Sequence, residues 1–247
     1  MLTATPLEGL PEISPGDDLG LVIANAAPPL AEGDVLVVAH KAVSKAEGRT
    51  VALGTVVPGP RAHALAARLR KDPRHVQVVL DNSREVLRAE RGVLVCLTPH
   101  GFVCANAGVD ASNVPGEETV LLLPQDPDSS ARALRDRLRE LTGRAPAVVV
   151  TDSFGRAWRH GQCDVAIGCA GLRPLEDWRG ATDALGRTLR ATWIGVADQL
   201  AATADLARRK DSSQPVVLVR GAERHVTGED GPGAAALVRP ETEDLFR

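Results

Sequence analysis

Residues 147–152 read AVVVTD, an apolar run that is typical of a buried β-strand and that closes on an acid. Two further runs of this kind are DVLVVAH at 34–40 and PVVLVRG at 215–221. Strands that are buried on both faces have continuous apolar sequences rather than alternating ones. The chain is therefore predicted to contain three buried strands. In an open sheet, ligands bind at the carboxyl ends of the strands, which directs attention to Asp152.

The segments around these strands indicate the fold class. Helices are predicted over 19–27, 60–71 and 129–142, and another is centred on ADQLAATADLARR at 197–209. Residues 43–49 read as a strand-to-loop transition, 85–107 as a meander of short antiparallel strands, and 155–187 as a glycine-rich region. Helices and strands mix without regular β-α alternation. We therefore predict an α+β fold rather than a doubly wound sheet.

The composition excludes several classes of protein. The chain has 247 residues with 44% hydrophobic and 25% charged residues, which is typical of a globular protein of one large or two small domains. Its net charge of −3 predicts no nucleic-acid partner. Its start, MLTATPLEGLPEI, lacks the pattern of a signal peptide, and no apolar run approaches the roughly 18–20 residues of a membrane span. We expect a cytoplasmic protein without membrane contact, whose four cysteines are reduced.

Two acidic segments could bind a metal ion. Asp152 and Ser153 offer hard oxygen atoms of the kind that Mg²⁺ and Mn²⁺ prefer, although an Asp that merely caps a strand end would look the same. The segment NAGVDASN at 106–113 puts Asp110 between two asparagines on a loop of small residues. Turn formation is the alternative reading of this second segment.

Two basic segments could bind an anion. Lys41 and Lys45 lie four residues apart directly after a predicted strand, and a solvated run of charge is the alternative. The turn RAWRHGQ at 156–162 carries Arg156 and Arg159, whose guanidinium groups suit phosphates and carboxylates. Acidic and basic loops on one scaffold suggest metal-assisted chemistry on an anionic substrate. The residues alone do not identify that substrate.

These segments, in this order, resemble the coenzyme F420-0:L-glutamate ligase family. The resemblance rests on DVLVVAHKAVSKAEGR, NAGVDASNV, LLLPQDPDSSA, VVVTDSFGRAWRHGQ, VAIGCAGLRPLEDWRG, GVADQLAATADL and PVVLVRG. It implies one family domain over residues 1–247, in one or two structural lobes, without a C-terminal nitroreductase-like extension. It also implies a mixed-sheet α+β fold and an intertwined homodimer.

The resemblance implies a reaction as well. GTP would phosphorylate the lactyl carboxylate of F420-0, and the amine of L-glutamate would then displace phosphate to form an amide. The implied ions are Mn²⁺ or Mg²⁺, two per site, with K⁺ as a further candidate. The implied partners are F420-0, L-glutamate and GTP.

Site residues follow from the matched positions. Asp110 and Asp152 match ligands of the first metal ion, and Ser153 matches a ligand of the second. Leu10, Pro11, Glu12, Ile13, His40, Lys41, Lys45 and Asn113 match GTP-contacting positions. We group Lys210 with the GTP-binding residues. Asp110 and Asp152 are the predicted catalytic residues together with Arg156 and Arg159, which we add as candidates for phosphate or carboxylate contacts.

One position departs from the family pattern. Counting from Asp152, Lys210 stands where single-domain archaeal members carry an acidic or amide ligand for the second metal ion. Its charge could replace that ion, Asp211 could move in, or the second ion could be lost. Three other functions stay open: ligation to another anionic carboxylate acceptor, metal-dependent phosphate hydrolysis, and non-catalytic GTP binding as the partner of a flavin enzyme.

Overall fold

The computed structural model describes residues 1–112, 116 and 118–244. The strands in this part are β1 (Thr3–Pro6), β2 (Val35–Ala39), β3 (Thr50–Ala52), β4 (Glu85–Glu90), β5 (Val93–Leu97), β6 (Val103–Ala105), β7 (Thr119–Leu121), β8 (Ala147–Arg156), β9 (Arg159–Ala170), β10 (Leu175–Asp177), β11 (Trp193–Gly195) and β12 (Val216–Arg220). The α-helices are α1 (Leu19–Ala26), α2 (His40–Ala46), α3 (Pro60–Leu69), α4 (Pro73–Asp81), α5 (Pro127–Thr142) and α6 (Val196–Ala207).

The central sheet has five strands in the order β1-β12-β2-β8-β9. β2 and β8 are parallel, whereas the other neighbours are antiparallel, so the sheet is mixed. The three predicted strands are its three inner strands, and they are buried on both faces. The predictions of an α+β fold and a mixed sheet are therefore confirmed.

Helices cover both faces of this sheet. On one face α1, α2 and α5 pack with Leu36, Val148 and Leu218 in a single apolar cluster. On the other face α6 packs on the alternate residues of the same strands. Gly168 on β9 lets α5 approach closely, because a Cβ at this position would lie 2.2 Å from the carbonyl oxygen of Pro127. The two layers of helices hold the strand ends in fixed positions.

A third apolar cluster lies outside the central sheet. It is formed by α3, α4 and the short strands β3, β4, β5 and β7, with Leu94 and Val76 among its fully buried side chains. The predicted meander over 85–107 is confirmed as the antiparallel sheet β4-β5-β6. All four cysteines are free, and three of them are buried. Within the described ranges, no helix is both long and apolar enough to cross a membrane.

One sequence prediction was wrong, and two elements were missed. Residues 43–46 belong to helix α2, because the chain leaves the sheet at Ala39 and buries Ala42 and Val43 against it. Helix α4 was missed, although Asp72 caps it by accepting a hydrogen bond from the backbone N–H of Arg74 and Pro73 begins it. The glycine-rich region contains β9, the antiparallel partner of β8.

Candidate active site

The site begins where β2 ends beside β8, a parallel strand that continues past this point. Ala39 at the end of β2 lies opposite Thr151 on β8, so His40 and Asp152 come next at the same edge of the sheet. Nε2 of His40 lies 3.3 Å from Oδ1 of Asp152, an ion-pair distance without hydrogen-bond alignment. Nδ1 of His40 faces Oγ of Ser44 at 3.3 Å. The sheet topology therefore places an imidazole beside a carboxylate.

A cavity of about 1000 Å³ opens at this edge. It gathers residues from distant segments of the chain: the N-terminal loop, α2, the loop at Asp110, the neighbouring strands β8 and β9, and the loop between α6 and β12. The predicted site residues that line it are Leu10, Pro11, Glu12, Ile13, His40, Lys41, Lys45, Asp110, Asp152, Ser153 and Lys210. The structure thus brings most of the predicted residues into one cavity.

Asp110 is held at the cavity by a strained loop and a lysine. Asn106 and Ala107, just before it, both have positive φ angles of 51° and 53°, which cost energy in residues other than glycine. Nζ of Lys41 lies 2.7 Å from Oδ2 of Asp110, and the backbone N–H of Ser112 donates to Oδ1. Burial acts to raise the pKa of Asp110, but these hydrogen bonds outweigh it and the pKa is lowered.

Lys41 and Lys45 are both fixed by partners. Besides Asp110, Nζ of Lys41 donates to Oγ of Ser112 at 2.6 Å. Lys45 is paired with Glu12 from the N-terminal loop. The two lysines lie on the first turns of α2, so their ammonium groups line the same wall of the cavity. They are placed to bind an anionic group.

Asp164 is an acid at the cavity that the sequence analysis missed. It lies opposite Ser153 in the β8–β9 ladder, just beyond a register shift between Val150 and Thr151. Such bulges are frequent beside active sites. Oδ1 of Asp164 accepts from Oγ of Ser153 at 2.6 Å, and the carboxylate is also paired with Arg208. Burial acts to raise its pKa, but the bonds from Ser153 and the two nearby cations leave it lowered.

The loop after α6 brings two cations to Asp164. Arg208 ends the helix, and its guanidinium also donates to Thr151 Oγ1 at 2.9 Å and to the carbonyl oxygen of Pro215 at 3.1 Å. Nζ of Lys210 donates to Ser153 Oγ at 2.6 Å and lies 3.5 Å from Oδ1 of Asp164. This end of the cavity is thus a network of oxygen atoms and fixed positive charges.

Comparison with known proteins gives the family. Residues 9–221 match the family model described as F420-0:Gamma-glutamyl ligase. The chain belongs to this family. It is 44% identical to the coenzyme F420:L-glutamate ligase of Methanopyrus kandleri, over 98% of this chain and 95% of that protein. It is 42% identical to the protein of the same name from Methanothermobacter thermautotrophicus, with coverage of 98% and 97%, and 38% identical to that of Methanocaldococcus jannaschii, with 96% and 94%.

Two residues that we predicted for this F420-0:gamma-glutamyl ligase family member lie away from the cavity. Arg156 and Arg159 lie at the exposed tip of the β8–β9 hairpin and do not line the cavity. Arg156 donates to the carbonyl oxygens of His160 and Gly161. Their contacts to phosphate or carboxylate stay a prediction. Asn113 lies outside the described residues.

The donor atoms decide where a divalent cation fits. Asp110 and Asp152 are two carboxylates at one cavity, and Mg²⁺ is commonly bound by one or two carboxylates together with substrate phosphates. Ser153 offers a neutral hydroxyl instead of a carboxylate, and this hydroxyl contacts Asp164 and Lys210. No group of three or more His, Cys, Asp or Glu side chains in the described part of the chain could hold a metal ion. Asp110 and Asp152 are thus two carboxylates at this cavity to which an ion could bind only with further ligands from outside this set.

Proposed function

We propose that this chain is a coenzyme F420-0:L-glutamate ligase that uses GTP and acts in coenzyme F420 biosynthesis. The observation that carries the proposal is the cavity where β2 ends beside β8, which joins Asp110 and Asp152 to Lys41 and Lys45. It is supported by identities of 38–44% to three proteins named as ligases of this kind.

The proposed reaction has two steps. The γ-phosphoryl group of GTP moves to an oxygen of the lactyl carboxylate, which forms an acyl phosphate and releases GDP. The amine nitrogen of L-glutamate then attacks the acyl carbon, inorganic phosphate leaves, and the nitrogen loses a proton. The product carries one new amide bond.

The residues of the cavity would supply positioning and charge, which are the main sources of catalysis in phosphoryl transfer. Lys41 and Lys45 would bind the phosphates of GTP as fixed ammonium groups. Residues 10–13 form the neighbouring wall, where we place the rest of the nucleotide. A divalent cation held by Asp110 and Asp152, Mn²⁺ or Mg²⁺, would neutralise charge on the phosphates. We propose K⁺ as a further ion, without assigning residues to it.

We also propose that the working unit is a homodimer. Support comes from the resemblance to intertwined dimers and from large apolar side chains exposed on the single chain, including Val57, Leu185 and Leu206. Sedimentation equilibrium should give twice the mass of 26.0 kDa. A monomer at micromolar concentration would contradict this part of the proposal.

The direct test is an assay of the purified protein with F420-0, L-glutamate, GTP and Mn²⁺, followed by mass spectrometry. We expect a product that is heavier by one glutamyl unit, formed together with GDP and only when metal is present. GDP without the adduct would contradict the proposed acceptor and favour hydrolysis or another carboxylate. Bound GTP without turnover would instead favour a non-catalytic partner of a flavin enzyme.

A further inference from the structure

We propose that Lys210 is a built-in cation that fills the oxygen cluster of Ser153, Asp164 and Asp205, so that this end of the cavity takes no divalent ion. The inference deepens the proposed function and rests on it only for the use of the cavity, since it concerns how many metal ions the cavity binds. Its basis is a disagreement between the two-ion site implied by the family resemblance and the contacts of this chain.

The ammonium group of Lys210 uses its full bonding capacity in this cluster. A lysine ammonium has three N–H donors and no acceptor. Nζ of Lys210 faces three oxygen atoms: Ser153 Oγ at 2.6 Å, Asp205 Oδ1 at 3.0 Å and Asp164 Oδ1 at 3.5 Å. Each of these atoms is a hard oxygen of the type that Mg²⁺ or Mn²⁺ would take. The ammonium therefore stands where such an ion would have to bind.

The charges of the cluster cancel. Asp164 and Asp205 contribute two negative charges, and Arg208 and Lys210 contribute two positive ones. The side chains of Asp164 and Arg208 are only 2% and 8% exposed, and Arg208 is further held by Thr151 and Pro215. A divalent ion would bring two more positive charges beside a fixed guanidinium, and Asp211, a further carboxylate of this loop, is already paired with Arg209.

The other end of the cavity keeps a negative charge. Asp110 is paired with Lys41, and Asp152 lies beside His40. Two carboxylates at this end are thus paired with one lysine, whereas Asp164 and Asp205 at the opposite end are paired with an arginine and a lysine. The cavity thus has one end that attracts a divalent cation and one end that is already neutralised.

Lys210 can also contact a substrate bound in the cavity. Its side chain is 68% exposed and lines the cavity while its ammonium group holds the cluster together. A cation on a side chain is present in every turnover, whereas a second metal ion would have to bind from solution. We therefore expect dependence of the reaction on a single metal ion per chain.

The test counts Mn²⁺ ions bound to the full-length protein, with the metal alone as the probe and free Mn²⁺ followed by electron paramagnetic resonance. We expect one ion per chain in the unmodified protein and two in Lys210→Glu. Lys210→Gln, which removes the charge without adding a carboxylate, should gain a weaker second ion. Lys71→Glu makes the same change of charge outside the cavity lining and should leave the count at one.

Two ions bound to the unmodified protein would overturn the inference, as would one ion in both Lys210 variants. Because the measurement uses neither GTP nor F420-0, it stands whether or not the protein proves to be a ligase. A protein that binds no Mn²⁺ until Lys210 is replaced would support the role of Lys210, but it would contradict the proposed ion at Asp110 and Asp152.

Discussion

Each end of the cavity has two aspartates, but the two ends differ in the cations that are paired with these aspartates. At the first end Asp110 and Asp152 face Lys41, and at the second end Asp164 and Asp205 face Arg208 and Lys210. Each end has two carboxylates, yet only the first keeps an excess of negative charge. The comparison teaches that a count of acids does not define a metal site. The cations that the fold brings to those acids decide whether an ion can bind.

Loss of a carboxylate at the first end should have the largest effect. We expect Asp152→Asn and Asp110→Asn each to abolish ligation, a loss of about 10³–10⁵-fold, as when a charge-neutralising group is removed from a phosphoryl-transfer site. The fold should persist, because Asn keeps the shape of the side chain. Steady-state rates together with circular dichroism would check both points. The control is Asp136→Asn on α5, an exposed acid paired with Arg139. Near-normal turnover in either cavity variant would contradict the role that we give to that carboxylate in the mechanism.

The second end should matter more for stability than the first. Asp164→Ala leaves Arg208 buried without its partner, which should cost about 3–5 kcal/mol of unfolding free energy in urea. The matched control is Asp211→Ala, because Asp211 is 72% exposed and pairs with Arg209, which is 79% exposed. That control should change the free energy by less than about 0.5 kcal/mol. Equal losses in the two variants would show that the network at Asp164 is not a buried ion pair.

Lowering the pH should remove the contribution that Asp164 at the second end makes to stability. The pKa of Asp164 in the folded protein lies below its ordinary value of 3.8. Its contribution to stability is therefore present above that value and is lost as the pH falls through the folded pKa. Asp164→Asn should flatten the fall in unfolding free energy below pH 4, as measured in urea titrations.

Asp198 is a control for which we expect the opposite dependence of stability on pH. Burial raises its pKa, only partly offset by a hydrogen bond from the backbone N–H of Ala166. At pH values above its ordinary pKa, the ionised carboxylate of Asp198 therefore lowers the free energy of unfolding. This penalty disappears as the pH falls and the carboxylate becomes protonated. Asp198→Asn should therefore steepen the fall in unfolding free energy as the pH is lowered. The same change of slope in both variants would contradict the assigned directions.

The smallest effect is expected at the rim of the cavity. Glu12 is paired with Lys45 but is 66% exposed, and exposed ion pairs contribute about 0–1 kcal/mol. Glu12→Gln should lower the unfolding free energy by no more than that, in contrast to Asp164→Ala. A loss of several kcal/mol would mean that charge pairing holds the whole cavity together, rather than its buried end alone.

The sequence indicates His40, Lys41 and Asp152 at the first end because these polar residues follow apolar runs. Ala39 and Thr151 are paired between the parallel strands β2 and β8, so the polar residues that come next meet at one edge of this pairing. Asp110 was found on a loop of small residues, but its approach to Lys41 depends on the loop conformation at Asn106 and Ala107. Nothing local in the sequence sets that approach.

The second end was missed because its contacts cross between strands and loops. Asp164 meets Ser153 only through the β8–β9 ladder, and β9 was hidden in a region read as glycine-rich. A single acid before the apolar run VAIGCA was the available signal for a strand with a buried carboxylate. Arg208 and Lys210 reach Asp164 because β12 begins at this edge of the sheet. This contact depends on the tertiary structure and not on the neighbouring sequence.

The most direct test of the difference between the two ends is a crystal structure of the protein soaked in Mn²⁺, with the anomalous signal of manganese used to locate the ions. We predict one peak per chain, bound by Asp110 and Asp152, while Lys210 keeps its contacts with Ser153 and Asp164. A peak within bonding distance of Ser153 and Asp164, with Lys210 displaced, would contradict the account.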